Sequence, residues 1–262
     1  MTPDEQAVWA YAVTRSSGSG DLARDLRGLT GVDGEPVRMV HQGDLAAIVG
    51  SVDGEVFAAQ ALHRNFEDLD WLAGTARAHD AVVSAVARHG AMVPLRLATI
   101  FRDDERVRDM LADRWPDFDF ALLQVTGRTE WGVKAYGDRA VLAGPAEPEP
   151  AAAGAGTAYL MRRKAQLSAD VETERRAVGV AEHIHATLAG VATAARRHRP
   201  QDPRLSGRCE WMLLNGAYLV DDDRTDDFAD VVAAQDGAHR GIRLELTGPW
   251  PPYSFAATEA DG

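Results

Sequence analysis

The stretch that constrains the fold most strongly is Gly248-Pro249-Trp250-Pro251-Pro252-Tyr253-Ser254-Phe255. Its three prolines lack a backbone N–H and hold φ at about −65°, which excludes a helix or a central strand. We expect this segment to run extended, as polyproline II or a turn, and to present three rigid aromatic side chains, those of Trp250, Tyr253 and Phe255. None of these is a nucleophile, a general base or a metal ligand. The stretch therefore indicates packing or docking, with Trp250–Pro251 as the candidate for a cis peptide bond.

Upstream, residues 144–156 form the clearest boundary in the sequence. They are rich in Pro, Gly and Ala and lack large apolar side chains, so they predict an exposed linker. We expect an α+β fold with an N-terminal domain over residues 1–143, built from a mixed or antiparallel sheet with helices. The predicted C-terminal domain, residues 157–262, contains a long helix, a small α+β sheet of ferredoxin-like type with a βαβ unit, and the aromatic tail.

Apolar spacing predicts the main elements. In the first domain it indicates one helix from Leu62 to about His89, a strand from Met92 to Phe101, and short strands at 122–125 and 130–135. In the second domain it indicates a helix from Thr157 to about Arg197. We expect most of the apolar stripe of that helix to pack on its own domain, although a partner protein is the alternative. For the aromatic tail we favour a plug between the domains over a docking strip.

Composition excludes several classes of partner. The chain carries 28 basic and 40 acidic side chains, a net charge of −12, which disfavours nucleic acid and anionic membrane surfaces. No apolar run approaches the roughly 20 residues needed to span a bilayer. Cys209 is the single cysteine, so it forms no intrachain disulfide and no cysteine zinc site, and we interpret it as a buried thiol. We expect a cytoplasmic protein.

The candidate ligand motifs are weak. Gly18-Ser19-Gly20 begins a G-x-G-x-x-A match typical of dinucleotide-binding turns, but it also fits a flexible loop in which Asp21 caps a helix. The acidic cluster from Asp221 to Asp227 lacks the spacing of a calcium loop and favours a solvated helix cap. His183 and His185 diverge on a helix, which disfavours metal chelation. We expect no metal and no cofactor.

Three other residues bear on function. His79 shares a stripe with apolar residues, which favours a packed histidine with a satisfied hydrogen bond, and adjacent Asp80 cannot face it on a helix. Arg96 lies in an otherwise apolar strand, so we expect it to be buried and paired, with Glu130 as its acceptor. A small-molecule or nucleotide-binding enzyme, the alternative function, needs a pocket that joins His79, Arg96 and Glu130.

The residues from Leu244 to Phe255 resemble the terminal signature of the gas vesicle protein GvpL/GvpF family. Four other segments match the family in the same order along the chain. They are residues 71–80, which contain Trp-Leu and Ala-His-Asp, and residues 93–101, 127–134 and 214–221. The resemblance extends over nearly the whole chain from Trp9. One local departure is Gly216, where the pattern leads us to expect a residue with a side chain.

The resemblance implies a role in gas vesicle formation, and hence buoyancy. It implies an accessory or minor component that binds the hydrophobic shell protein and limits its aggregation during vesicle nucleation, a chaperone-like assembly factor without catalysis. The implied partners are the shell protein and other gas vesicle accessory proteins, and the implied location is cytoplasmic and associated with gas vesicles. The candidate partner-binding residues are Arg96, Trp131, Tyr218, Trp250, Tyr253 and Phe255.

Overall fold

A computed structural model describes residues 6–16, 19–144, 155–199 and 210–256. Most of the predicted linker, Gly18 of the glycine motif and Cys209 lie outside these ranges. The strands are β1 (Gln6–Arg15), β2 (Val37–Gln42), β3 (Leu45–Asp53), β4 (Met92–Pro94), β5 (Ile100–Phe101), β6 (Arg128–Gly137), β7 (Ala194–Arg197), β8 (Trp211–Asp221) and β9 (Ile242–Trp250). The helices are α1 (Ser19–Leu26), α2 (Ala59–Asn65), α3 (Leu69–Ala87), α4 (Asp104–Asp113), α5 (Trp115–Val125), α6 (Arg139–Ala143), α7 (Ala155–Ala189) and α8 (Thr225–Ala238).

The fold is α+β, with two sheets, as the sequence predicts. One sheet has the order β2-β3-β1-β4, with β5 also on β1, and the other has the order β7-β8-β6-β9. The first unit contains residues 1–129 and 250–262, and the second contains 130–249. This division differs from the predicted domains, because β6 lies between β8 and β9 and so belongs to the second sheet, while the aromatic tail returns to the first unit.

The first unit is built around β1, which is buried from Val8 to Val13. The strand pairs antiparallel with β3, and its register shifts between Ala10 and Ala12, so Tyr11 sits at a bulge. The Tyr11 hydroxyl donates to Glu35 Oε1 (2.5 Å) and accepts from the amide of Val32 (3.0 Å). A buried carboxylate is costly unless hydrogen-bonded, and this network provides the bonds.

The second unit runs in the order β6-α6-α7-β7-β8-α8-β9, with β8 and β6 in the middle of its sheet. Tyr218 and Phe228 pack together at its centre, with ring centroids 5.5 Å apart. β9 lies at the sheet edge, which is where a strand tolerates Pro249 without losing a ladder hydrogen bond. The cis peptide bond is Gly248–Pro249, so the choice of Trp250–Pro251 was wrong.

Two segments of the first unit that form helices in the structure were predicted wrongly. The helix expected over 62–89 is two helices, because Asp68 caps a new start by accepting from the amides of Asp70 and Trp71. The segment expected as a strand at 122–125 is the end of α5. Pro116 fits the first turn of that helix, and its buried residues recur at helical spacing, as Phe118, Ala121, Leu122 and Val125.

The long helix α7 ends at Ala189, and the residues predicted to continue it form β7. Thr193 N donates to Leu219 O, which brings the chain onto β8. The expectation that most of the apolar stripe packs on its own unit holds only for the C-terminal part of the helix, where Ile184 and Leu188 are buried and Val191 packs against them. Leu167, Val171 and Val178 are exposed. The buried face of the helix also includes Thr173, Ala177 and Ala181. Small residues on that face let the helix approach the sheet closely.

Candidate protein-binding groove

A groove of about 470 Å³ lies on the first unit. It is bordered by the β4–β5 edge of the sheet, by α4 and α5, and by the aromatic tail. Apolar side chains form most of its wall, and two arginines contribute to it. The lining residues that matter below are Leu95, Arg96, Met110, Arg114, Phe118 and Tyr253.

One edge of the groove is a turn that interrupts the pairing of β4 and β5 with β1. Leu95 N still donates to Tyr11 O (2.9 Å), but the residues from Arg96 to Ala98 leave the ladder, and pairing resumes where Ala10 N donates to Thr99 O (2.9 Å). Both the amide and the hydroxyl of Thr99 donate to Arg96 O, and Ala98 takes a φ of 63° in the left-handed region. The continuous strand predicted over 92–101 is therefore wrong.

This turn exposes Arg96. Arg96 was expected to be buried, and this expectation is wrong. Its pairing with Glu130, which is a buried residue of the second unit, stays a prediction. The exposed guanidinium borders the apolar groove. A planar guanidinium can pack on apolar surface while it binds carboxylates or carbonyl oxygens of a ligand.

The helical wall of the groove contains Arg114, between α4 and α5. Its guanidinium lies 5.3 Å from the ring centroid of Phe118, in cation–π geometry. Its Nε is 3.5 Å from a carboxylate oxygen of Asp117, whereas its Nη2 is buried and has no hydrogen-bond partner among the described residues. A buried donor without a hydrogen-bond partner costs free energy, and the described residues provide no partner for this nitrogen.

The aromatic tail forms the third wall. Pro251, Pro252, Phe255 and Ala256 are buried, and Ala256 N donates to Pro252 O, so the segment forms a turn, which is one of the two forms expected for it. Tyr253 lines the groove and is partly exposed. Burial, and secondarily the charge of Asp80, raise the pKa of the Tyr253 phenol. The phenol therefore keeps its proton and remains a hydrogen-bond donor.

The structure separates the six candidate residues. Arg96 and Tyr253 line the groove. Phe255 is buried within the aromatic tail, and Trp250 is exposed at the end of β9. Trp131 and Tyr218 belong to the second unit.

Within the second unit, Tyr218 is fully buried and its hydroxyl lies 2.8 Å from His185 Nδ1. Trp131 is half-buried, and its Nε1 has no hydrogen-bond partner among the described residues. Sequence reasoning missed Met110, Arg114 and Phe118, because their place in this wall comes from the packing of α4 and α5 on the sheet. The helical spacing of Phe118 and Leu122 could have identified α5 as a helix, but not its place in the wall.

The other predicted sites concern histidines and metal ligands. The packed role of His79 is confirmed, because the residue is buried, accepts from Trp9 Nε1 (3.0 Å) and lies 3.2 Å from Leu95 O. His183 is exposed and lies against His239, while His185 faces Tyr218. Over the described ranges, no three His, Cys, Asp or Glu side chains come together to hold a metal ion. In the same ranges no helix combines the length and the apolar character that crossing a membrane requires.

The sequence of the chain matches known proteins over almost its full length. The family described as gas vesicle synthesis protein GvpL/GvpF matches residues 7–257. Gas vesicle protein L of Streptomyces sp. (strain CB03234) is 46% identical over 257 residues, which cover 96% of this chain and 93% of that protein. Gas vesicle protein F of the same strain is 27% identical, with 95% of this chain and 99% of that protein covered.

Two solved structures share the fold. The crystal structure of gas vesicle protein GvpF from Anabaena sp. PCC7120 has a TM-score of 0.70 at 17% identity, with 96% of each chain covered. That of GvpF from Microcystis aeruginosa has a TM-score of 0.66 at 17% identity, covering 96% of this chain and 99% of the other. The sequence match over the whole chain and the shared fold agree. This chain belongs to the GvpL/GvpF family of gas vesicle synthesis proteins.

Proposed function

We propose that this protein is a non-catalytic accessory or minor component of gas vesicles. It binds the hydrophobic shell protein and limits its aggregation while the vesicle nucleates. The family membership supports a gas vesicle role, and the observation that carries the binding role is the apolar groove bordered by Arg96 and Arg114. An aggregation-prone apolar segment needs an apolar surface to cover it, and the groove provides one on a protein of net charge −12.

The chemistry of the groove favours binding over catalysis. Its described lining contains no His, Cys, Asp or Glu side chain, and therefore no general base of those types. The enzyme alternative gains no support from His79, because both ring nitrogens of His79 lie against buried partners. We also propose that the predicted ferredoxin-like character applies to the second unit, on the basis of its strand order.

The test is co-expression with the main shell protein, followed by size exclusion of the soluble fraction. The variant is Arg96→Glu, which reverses an exposed charge at the groove, and the control is Arg108→Glu, which reverses an exposed charge on α4 outside the groove lining. We expect the wild-type chain and the control to keep shell protein soluble and to co-elute with it. We expect Arg96→Glu, and more strongly Arg96→Glu with Tyr253→Ala, to lose most of the complex.

Two results contradict the proposal. If the shell protein aggregates regardless and the wild-type chain elutes alone, the chain does not handle the shell protein directly. If both groove variants retain the full complex and their circular dichroism spectra match the wild type, the groove is the wrong surface. Trp131 and Trp250 then become the residues to replace next.

A further inference from the structure

The N-terminal half of α7 has a surface that its own unit does not cover. From Arg163 to Glu172 every side chain is exposed, and packing on the core begins only at Thr173. At 1.5 Å per residue these ten positions extend for about 15 Å. A helix without packing on one side is marginal by itself, so an exposed segment of this length favours a helical partner.

This surface carries an apolar seam. Leu167, Val171 and Val178 are 55%, 66% and 47% exposed. At about 100° per residue, their spacing of four and seven places them within roughly 40° of one another. By the same geometry the core-facing Ala177 and Ala181 lie about 80° and 40° from Leu167, in the direction opposite to Val171. The seam is therefore an exposed apolar strip beside the core-facing side, with the spacing of a coiled-coil contact.

The charged side chains that flank Leu167 most closely have opposite signs on its two sides, and the exposed Arg175 and Arg176 come further along the helix. Arg163 and Lys164 precede Leu167 by about one turn, and an acidic group follows it, consisting of Asp170, Glu172 and Glu174. All five charged side chains are exposed. The helix thus has a basic turn and an acidic turn with an apolar position between them.

We propose that two copies of this chain pair through α7 in an antiparallel arrangement centred near Leu167. In that arrangement the basic turn of each copy lies beside the acidic turn of the other, and both ends of the contact are attractive. A parallel pair would place like charges side by side, which is unfavourable. The surface is self-complementary, as a two-fold symmetric interface requires. Because the contact is short, the dimer is weak and dissociates as salt concentration rises.

The experiment is sedimentation equilibrium of the purified full chain, without any shell protein, at low and high salt. The acidic variant is Arg163→Glu with Lys164→Glu, and the basic variant is Glu172→Lys with Glu174→Lys. The control, Arg108→Glu with Arg240→Glu, changes net charge as much as the acidic variant does, at positions outside α7.

We expect the wild type and the control to dimerise. Each α7 variant alone should dimerise about tenfold more weakly or worse, because like charges then meet at both ends. An equimolar mixture of the two variants should form a heterodimer, since each reversed turn then faces an opposite charge.

Two outcomes overturn the pairing. The first is a wild-type chain that stays monomeric at the highest concentration. The second is a mixture that fails to restore the dimer. Since the measurement contains no shell protein, its failure is distinct from failure of the groove.

Discussion

Each unit has a histidine that contacts a buried aromatic side chain, but the two histidines are held differently. In the first unit His79 lies between Trp9 Nε1 and Leu95 O, so both ring nitrogens are engaged inside the core. In the second unit the half-buried His185 contacts Tyr218 through Nδ1. Burial raises the pKa of Tyr218, so the phenol keeps its proton and can donate it to the imidazole.

The difference shows what each histidine supports. Since Nδ1 of His79 accepts from the indole, its Nε2 carries the proton and donates to Leu95 O. Leu95 immediately precedes the turn that places Arg96 at the groove. The polar core of the first unit therefore positions the candidate site. The pair in the second unit satisfies one buried hydroxyl within the packing of the sheet.

Replacement of these histidines by alanine is the strongest test of the comparison. We expect His79→Ala to lower the free energy of unfolding of the first unit by about 3–5 kcal/mol, because it leaves a cavity and two buried polar groups without a partner. We expect His185→Ala to cost about 1–2 kcal/mol in the second unit, because it leaves one buried hydroxyl unsatisfied. Urea denaturation gives the totals, and hydrogen exchange of the β1 and β8 amides assigns the loss to a unit.

Equal losses in the two variants would contradict the comparison and would make the His79 contacts no more important than the single bond of His185. A loss in His79→Ala that appears at β8 rather than β1 would do the same.

The sequence predicted much of the fold through its apolar periodicity. Strand β6, predicted over 130–135, runs over Arg128–Gly137, and the helix predicted from Thr157 begins at Ala155. Where periodicity was ambiguous it failed, as in α5, whose short apolar run fits either a strand or a buried helix. The break at Asp68 was missed because the cap is one side chain within a continuous helical pattern.

The candidate site was predicted less well. Arg96 and Tyr253 were selected and do line one groove, but for different reasons from those the structure provides. The exposure of Arg96 depends on the turn at Thr99, which no apolar pattern encodes. Arg114 and Phe118 were missed because their place in the wall results from tertiary packing of α4 and α5 on the sheet. Such packing is not visible in the spacing of residues along the chain.

The next test replaces two glycines of the second unit, Gly216 and Gly179, by alanine. A Cβ at Gly216 would lie 2.7 Å from ring atoms of the fully buried Tyr218, which explains the absence of a side chain there. We expect Gly216→Ala to lower the free energy of unfolding by about 1–3 kcal/mol through overpacking. A Cβ at the exposed Gly179 of α7 would meet no described atom within 4 Å, so Gly179→Ala should stabilise the protein by about 0.5–1 kcal/mol.

Thermal unfolding of both variants checks the signs. A neutral Gly216→Ala variant would mean that the Tyr218 ring moves easily, and the view of a rigidly packed second core would be wrong.

The smallest effect concerns pH. Burial lowers the pKa of His79 below its ordinary value of 6.5, because the charged form is disfavoured in the core. A lowered pKa in the folded state means that the unfolded chain takes up the proton first. The contribution of His79 is therefore complete above about pH 6.5 and is lost as pH falls from there. Burial and the charge of Arg197 lower the pKa of His185 in the same direction.

We expect the stability of the first unit to fall as the pH drops below about 6.5, with a slope of at most about 1.4 kcal/mol per pH unit from one histidine. Glutamine can hydrogen-bond but does not titrate, so His79→Gln should flatten this slope for the β1 amides, whereas His185→Gln should leave it unchanged. Urea titrations at several pH values, read out by hydrogen exchange, measure both slopes. If His79→Gln keeps the wild-type slope, another group controls the acid response, and His79 is not the residue that the core holds neutral.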